Sequence, residues 1–361
     1  WQAGLSVVDL LGVSTVQHID HEPLVPLATK KSYVFERYKR NISCYRIPAV
    51  IYTVKGTLIA FAEARHGSCG DDEVHEIAYR RSFDMGVRWT PLAFAVGSAT
   101  FKVGNPMPVI VKDASRKSGE FILLLFVIHD DECNKECGIG NGVIRSGDDG
   151  RTWSNPLDVS EMFGTARGGL PGPGSAIQTK SGRILVAVHL GKYYRDYVVA
   201  SDDLGKTWRV THEFVSEPEV DEPTLAQMPD GRIHFSGRTM ATSRLGRAVA
   251  VSNDDGASFT ELQFDCGLRG AVCQGSAVVI GSFLFFAGPL GANRGLLSIQ
   301  RSTDGETWED APLLVQRRTS FGYSSMTPMV WQGKTSGGIL YEYGSKTNTR
   351  IAFQQFPLRW P

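Results

Sequence analysis

Five near-copies of one short pattern constrain this chain more than any other feature. Ser82-x-Asp84-x-Gly86-x-x-Trp89 is followed by Ser146-x-Asp148-x-Gly150-x-x-Trp153, Ser201-x-Asp203-x-Gly205-x-x-Trp208 and Ser252-x-Asp254-x-Gly256-x-x-Phe259. A shortened copy, Ser302-x-Asp304-Gly305-x-x-Trp308, ends the series. The copies recur at intervals of about 50 to 65 residues, the period of a repeated supersecondary unit, and for short β-rich units that means a propeller. Asp and Ser side chains hydrogen-bond their own turn backbone, and Gly supplies a positive φ. Each copy therefore reads as a self-stapled turn, with the closing aromatic packing against the body of its blade. These aspartates are structural: none of the copies has the ligand spacing and closing Glu of an EF-hand loop.

Between the turns the pattern is monotonous. Short apolar runs such as Gly56–Phe61, Gly182–Val188 and Gly231–Phe235 alternate with glycine-containing turns, and no long stretch has helical periodicity. Six blades of about 55 to 60 residues fill the 361-residue chain, five of them carrying the recurring turn. The expectation is one all-β domain over residues 1–361, a six-bladed β-propeller, with residues 1–40 leading into the first blade. Tyr33–Tyr38 reads as an edge strand, and Arg350–Pro357 can pair with an N-terminal strand to close the ring.

Charge and hydropathy narrow the partners. Lys plus Arg is 38 and Asp plus Glu is 38, so no global field favours nucleic acid or an anionic membrane. The longest apolar run, Phe121–Ile128, is far too short to span a membrane and reads as a buried strand. The chain opens at Trp1 without a visible leader, as a processed N-terminus would. Six cysteines fall in three close couples, Cys44 with Cys69, Cys133 with Cys137 and Cys266 with Cys273. An even count suits disulfides, with the pairing left open. His129, Cys133 and Cys137 lack a fourth ligand for zinc. With the Asn41-Ile-Ser43 sequon, the cysteines lean toward the secretory pathway, secreted or lysosomal.

Outside the turns, a second set of residues carries chemistry. Tyr45-Arg46-Ile47-Pro48 opens the first blade, and Glu63-Ala-Arg65 follows the next strand. An acidic loop runs from His66 through Asp71, Asp72 and Glu73 to Glu76. Asp221-Glu222 precedes a strand ending at Gly237-Arg238; Asn293-Arg294, Phe321-Gly-Tyr323-Ser-Ser and Tyr341-Glu342-Tyr343 follow. Loops at one end of a propeller converge on its axis, so arginines from several blades can meet there and hold a carboxylate or phosphate with bidentate forks.

Over residues 45–343 this combination resembles the sialidase (neuraminidase) family of glycoside hydrolases, in the Arg-Ile-Pro element at Arg46, the five Asp-box turns, and the Glu-then-Arg and Gly-Tyr-Ser-Ser stretches. The resemblance implies a site on the face opposite the Asp boxes. In it Arg46, Arg238 and Arg294 hold the sugar carboxylate and Glu342 orients Arg46. Tyr323 is the nucleophile and Glu222 its base; Asp71, with Asp72 as the fallback, is the acid/base. Arg65 lines the pocket, and Arg167 stands beside the Gly168–Gly174 loop as a further candidate. No metal or organic cofactor is called for, and the partners are sialylated glycans, glycoproteins or glycolipids. The implied reaction is retaining exo-α-sialidase hydrolysis through a tyrosyl-enzyme intermediate. A phenol avoids the repulsion a carboxylate nucleophile would meet from the substrate's own carboxylate. The alternatives are a non-catalytic Asp-box propeller and a trans-sialidase. His189-Leu-Gly191 departs from the tyrosines of some animal relatives, which leaves N-acetylneuraminic acid and its deaminated relative, 2-keto-3-deoxynononic acid, both open as substrates.

Overall fold

The computed structural model describes residues 24–38, 42–71, 74–97, 102–129, 139–163, 169–190, 196–215, 219–240, 246–291, 294–318, 322–345 and 348–360. Asn41, Asp72, Cys133, Cys137, Arg167, Asn293 and Phe321 lie outside them. The strands form six sheets, the six blades of a β-propeller, antiparallel except where Val25–Pro26 pairs parallel with Leu313–Gln316 at the edge of the fifth. The innermost strands are Cys44–Tyr52, Lys102–Lys112, Ile177–Gln178, Val220–Gln227, Ser276–Ile280 and Ser324–Trp331. Each touches its neighbours all the way round. Ser32–Glu36 pairs antiparallel with Asn348–Phe356, Ser32 opposite Phe353 and Glu36 opposite Arg350. The N-terminal edge strand thus completes the last blade and closes the ring, as the alternation at the C-terminus predicts.

The core is divided into slabs, each between two blades. Met107, Leu123 and Val143 of the second blade pack with Val186, Val188 and Val199 of the third, and Leu58, Ala60 and Ala78 of the first with Leu340, Ile351 and Phe353 of the last. A mid-blade strand is therefore buried on both faces, which is why Phe121–Ile128 is apolar at every position instead of alternating.

The recurring turns have the predicted internal bonding. In the third copy Ser201 Oγ donates to Asp203 Oδ1 (2.9 Å) and accepts from the Gly205 N–H (2.8 Å). Asp203 also accepts from the Thr207 N–H (2.8 Å) and hydroxyl (2.6 Å). These bonds hold the Asp148, Asp203, Asp254 and Asp304 carboxyls down at about 2 against the opposing effect of burial. The aromatic meets expectation in part: Phe259 stacks with Phe235 and Trp308 with Phe286 of their own blades, whereas the first two copies reach onto the preceding one. Trp153 of the second blade stacks edge-on against Phe61 and Tyr79 of the first, both at 5.8 Å, and Trp89 of the first against Phe353 of the last. The glycine has a second duty at this seam, since a Cβ on Gly150 would lie 2.7 Å from Ile59. Each turn is thus a clamp between blades. Ser201→Ala removes one buried donor and acceptor and is expected to cost about 1–2 kcal/mol. Thermal unfolding should show that loss with activity unchanged.

The cysteine expectation holds in part. Cys44 and Cys69 are joined, whereas Cys266 is exposed and Cys273 buried, and neither is in a disulfide.

Candidate active site

Three innermost strands break register where they reach the ring's open face, opposite the recurring turns. The breaks fall between Arg46 and Ala49, Gly104 and Met107, and Asp221 and Thr224. Each surrounds an X-Pro pair: Ile47-Pro48, Asn105-Pro106 and Glu222-Pro223. Proline has no N–H to continue the ladder, so one extra residue is accommodated as a bulge. The residue before it sits at positive φ, 55° for Ile47, 48° for Asn105 and 36° for Glu222. Such conformations are strained in side-chain-bearing residues and persist only where surrounding contacts enforce them. Here the enforcing contacts are carboxylates. Glu342 Oε1 accepts from the Ile47 N–H (3.3 Å), Glu63 Oε1 from Asn105 (2.8 Å) and Asp221 Oδ1 from Glu222 (2.9 Å).

Tyr323 lies at the centre of the described site. Its hydroxyl donates to Glu222 Oε1, and its backbone N–H to Glu342 Oε2 at 3.1 Å. The guanidinium of Arg46 stands 4.9 Å from its ring centre and that of Arg294 5.9 Å. Burial, then the adjacent Glu222 carboxylate, pushes the phenol well above its usual value near 10, while Arg46 and Arg238 pull the other way. The resting phenol is neutral, with its proton on a bond to a carboxylate. Arg238 holds the other Glu222 oxygen, Nη1 to Oε2 at 2.7 Å. Glu342 is fully buried and binds Arg46 Nε at 3.1 Å. Burial opposes the charge on Arg46, but Glu342, the Tyr323 oxygen, Asp71 and Glu63 outweigh it and raise the guanidinium above its usual value.

The loop carrying Asp71 is held from beneath. Arg65 Nη1 donates to the Cys69 carbonyl (2.7 Å), the Gly70 carbonyl (2.9 Å) and Asp71 Oδ1 (2.7 Å). Arg46 Nη1 is 3.5 Å from the same Asp71 oxygen, and the Asp71 side chain is 81% exposed at the mouth. The Cys44–Cys69 disulfide ties this loop to the strand that supplies Arg46. Arg65 is in turn gripped by Glu63 through Nε (2.9 Å) and Nη2 (2.5 Å). Burial works to raise the Glu63 carboxyl, but Arg65, His75 and the Asn105 N–H bring it down to about 2. A Cβ on Gly104 would stand 2.6 Å from Glu63 Oε1, so only glycine admits the carboxylate there.

Contacts therefore link eight of the residues proposed from the sequence, Arg46, Arg65, Asp71, Glu222, Arg238, Arg294, Tyr323 and Glu342; Asp72 and Arg167 lie outside the described residues. Three residues that support them, Glu63, Asp221 and His189, stand in the stretches the sequence singles out but receive no role there. The three X-Pro pairs, recurring at the same place in different blades, were the visible signal for two of these. Among the described residues no cluster of His, Cys, Asp and Glu is arranged to hold a metal.

The arrangement offers a neutral nucleophile, a base bonded to it, three converging cations and an exposed carboxyl at the rim. Comparisons with known proteins show what the chain is similar to. A family model for a BNR repeat-like domain matches residues 56–333. The exo-alpha-sialidase of Aspergillus fumigatus is 27% identical over 366 residues, covering 88% of this chain and 84% of that protein. The Hadza microbial sialidase Hz136 superposes with a TM-score of 0.77 at 24% identity, over 91% of this chain and 68% of that one. Trypanosoma rangeli sialidase in complex with 2,3-difluorosialic acid, a covalent intermediate, gives 0.70 at 19% identity. That match covers 92% of this chain and 59% of the trypanosome chain.

Proposed function

Because the chain belongs to the sialidase family of glycoside hydrolases, we propose that it is a retaining exo-α-sialidase that releases terminal sialic acids from glycoconjugates through a tyrosyl-enzyme intermediate. The observation that carries this reading is the Tyr323 hydroxyl bonded to Glu222 inside a ring of arginines. Arg46, Arg238 and Arg294 bind the substrate carboxylate and offset its charge as the ring becomes oxocarbenium-like. The Tyr323 oxygen attacks the anomeric carbon and its proton passes to Glu222. Asp71 gives its proton to the departing glycosidic oxygen. It then takes one from the water that breaks the tyrosyl bond, and Glu222 returns its proton to Tyr323. Two displacements leave the anomeric configuration retained. Glu342 fixes Arg46, and Arg65 borders the pocket while holding the Asp71 loop. Passage through the secretory pathway fits this reading and is supported by the Cys44–Cys69 disulfide.

The test offers the purified chain fluorogenic α-glycosides of N-acetylneuraminic acid and of 2-keto-3-deoxynononic acid at mildly acidic pH. Release from either supports the sialidase reading, and the ratio reports which C5 substituent the pocket accepts. No release from a folded chain would turn the reading to a binding propeller.

A further inference from the structure

Behind Glu222 lies a buried charge cluster that the reaction above does not use. His189 ends the second strand of the third blade, Ile184–His189, and is 5% exposed. Its Nδ1 is 2.6 Å from Asp221 Oδ1. Asp196, fully buried, sits directly across the strand pair from His189. Asp221 is 1% exposed; the same Oδ1 accepts from the Glu222 N–H, and its Oδ2 lies 3.5 Å from Arg238 Nη1. That nitrogen is also the one bound to Glu222 Oε2 at 2.7 Å. Arg238 thus stands between two carboxylates, and His189 backs only one of them.

Resting on the sialidase reading above, we propose that His189 is a positioning residue for the nucleophile's base: by binding Asp221 it leaves Arg238 directed at Glu222 and at the incoming sugar carboxylate. Without a cation on its far side, Asp221 draws Arg238 toward itself. Two buried carboxylates then share one guanidinium just where a third, from the substrate, must bind. The same loss loosens the Asp221 oxygen that holds Glu222 at its positive φ.

The charged neighbours set the pH dependence. Among the described residues, His189 faces Asp196 from the adjacent strand of its own blade and Asp221 and Glu222 from the inner strand of the fourth. Arg238 and Arg247 stand behind those acids. Burial disfavours the imidazolium, but Asp221 first, then Asp196 and Glu222, hold His189 above its usual 6.5. Burial pushes the Asp196 carboxyl well above its ordinary range, and Asp221 stands 2.6 Å from the ring nitrogen. A group raised on folding contributes fully below its unfolded value and loses that contribution as pH rises through the folded one. The effect therefore belongs on the alkaline limb of the rate profile.

The experiment follows kcat and KM against pH with a fluorogenic sialoside, for wild type, His189→Gln and the double variant His189→Gln/Asp221→Asn. Melting temperatures are measured alongside. His189→Gln should lower kcat about tenfold, within the coupling range of contacting groups, and should change the alkaline limb relative to wild type. Adding Asp221→Asn should recover activity, because a neutral amide still accepts the Glu222 N–H and no longer competes for Arg238. A side chain with a purely structural role would give no such rescue. If His189→Gln does not fold, the double variant, which removes both buried charges together, decides: it should stay within about threefold of wild type, with the alkaline limb altered. A wild-type profile in His189→Gln, or a folded double variant without activity, overturns the proposal. Wild type inactive on every sialoside would instead sink the sialidase reading and this inference with it.

Discussion

Tyr323→Phe should lower kcat by at least about a thousandfold, the scale expected when a covalent nucleophile is removed, with the melting temperature nearly unchanged. The ring stays packed against Ile47 and Cys273, and its backbone remains tied to Glu342 in both directions. Glu222 keeps its contact with Arg238. Only the hydroxyl is lost, and with it the oxygen proposed to attack and the proton proposed to pass to Glu222. The chemistry also explains why the phenol is kept neutral at rest. A phenolate here would draw Arg46 and Arg238 onto itself and away from the substrate, whereas a hydroxyl bonded to Glu222 becomes anionic only as the new bond forms. Activity equal to wild type would place the nucleophile elsewhere, with Tyr341 and Tyr343 the next to test. Neither has the setting: Tyr341 is buried with its hydroxyl on Gln354, and Tyr343 sits under the Lys31 ammonium.

Glu342→Ala should damage both stability and activity. Its carboxylate is wholly enclosed and holds three donors from two blades: Arg46 Nε and the Ile47 N–H of the first, and the Tyr323 N–H of the last. Removing it leaves the buried Arg46 charge without its main partner and the positive-φ Ile47 without its anchor. Truncating one side of a buried ion pair costs about 3–5 kcal/mol. The melting temperature should fall by several degrees or more, and kcat/KM should collapse as Arg46 and Tyr323 lose register. Glu342→Gln separates the two effects. It keeps the volume and an acceptor, so it should recover much of the stability and less of the activity. An alanine variant that melted like wild type would show that Arg46 is held by other groups.

The fold was legible because its determinants are local. Ser201, Asp203 and Gly205 bond within one turn, so five copies of that turn announce themselves in the chain. The pairing of Ser32–Glu36 with the C-terminal strand followed from alternation and ring closure. What could not be read was direction across a seam. Whether Trp153 packs on its own blade or on Phe61 and Tyr79 of the preceding one depends on how blades tilt, which no local pattern encodes. The site divided in the same way. Arg46, Glu222, Tyr323 and their partners were found through family resemblance, since their convergence from different blades leaves no mark in spacing. Glu63 and Asp221 were named beside Arg65 and Glu222 but given no role, because each resembles an ordinary surface acid when read alone. Their role appears only once the bulges at Asn105-Pro106 and Glu222-Pro223 present N–H groups to them. His189 lay in view as a departure at the pocket wall, but the acids on either side of it come from another strand and another blade.

The central claim is that Tyr323 forms the covalent link to sialic acid. It is tested most directly by incubating the enzyme with 2,3-difluorosialic acid, digesting it and locating the adduct by mass spectrometry. The account predicts a single glycosyl adduct on the peptide containing Tyr323, absent from Tyr323→Phe. An adduct on another residue, or none from an enzyme that turns over a sialoside, would contradict it.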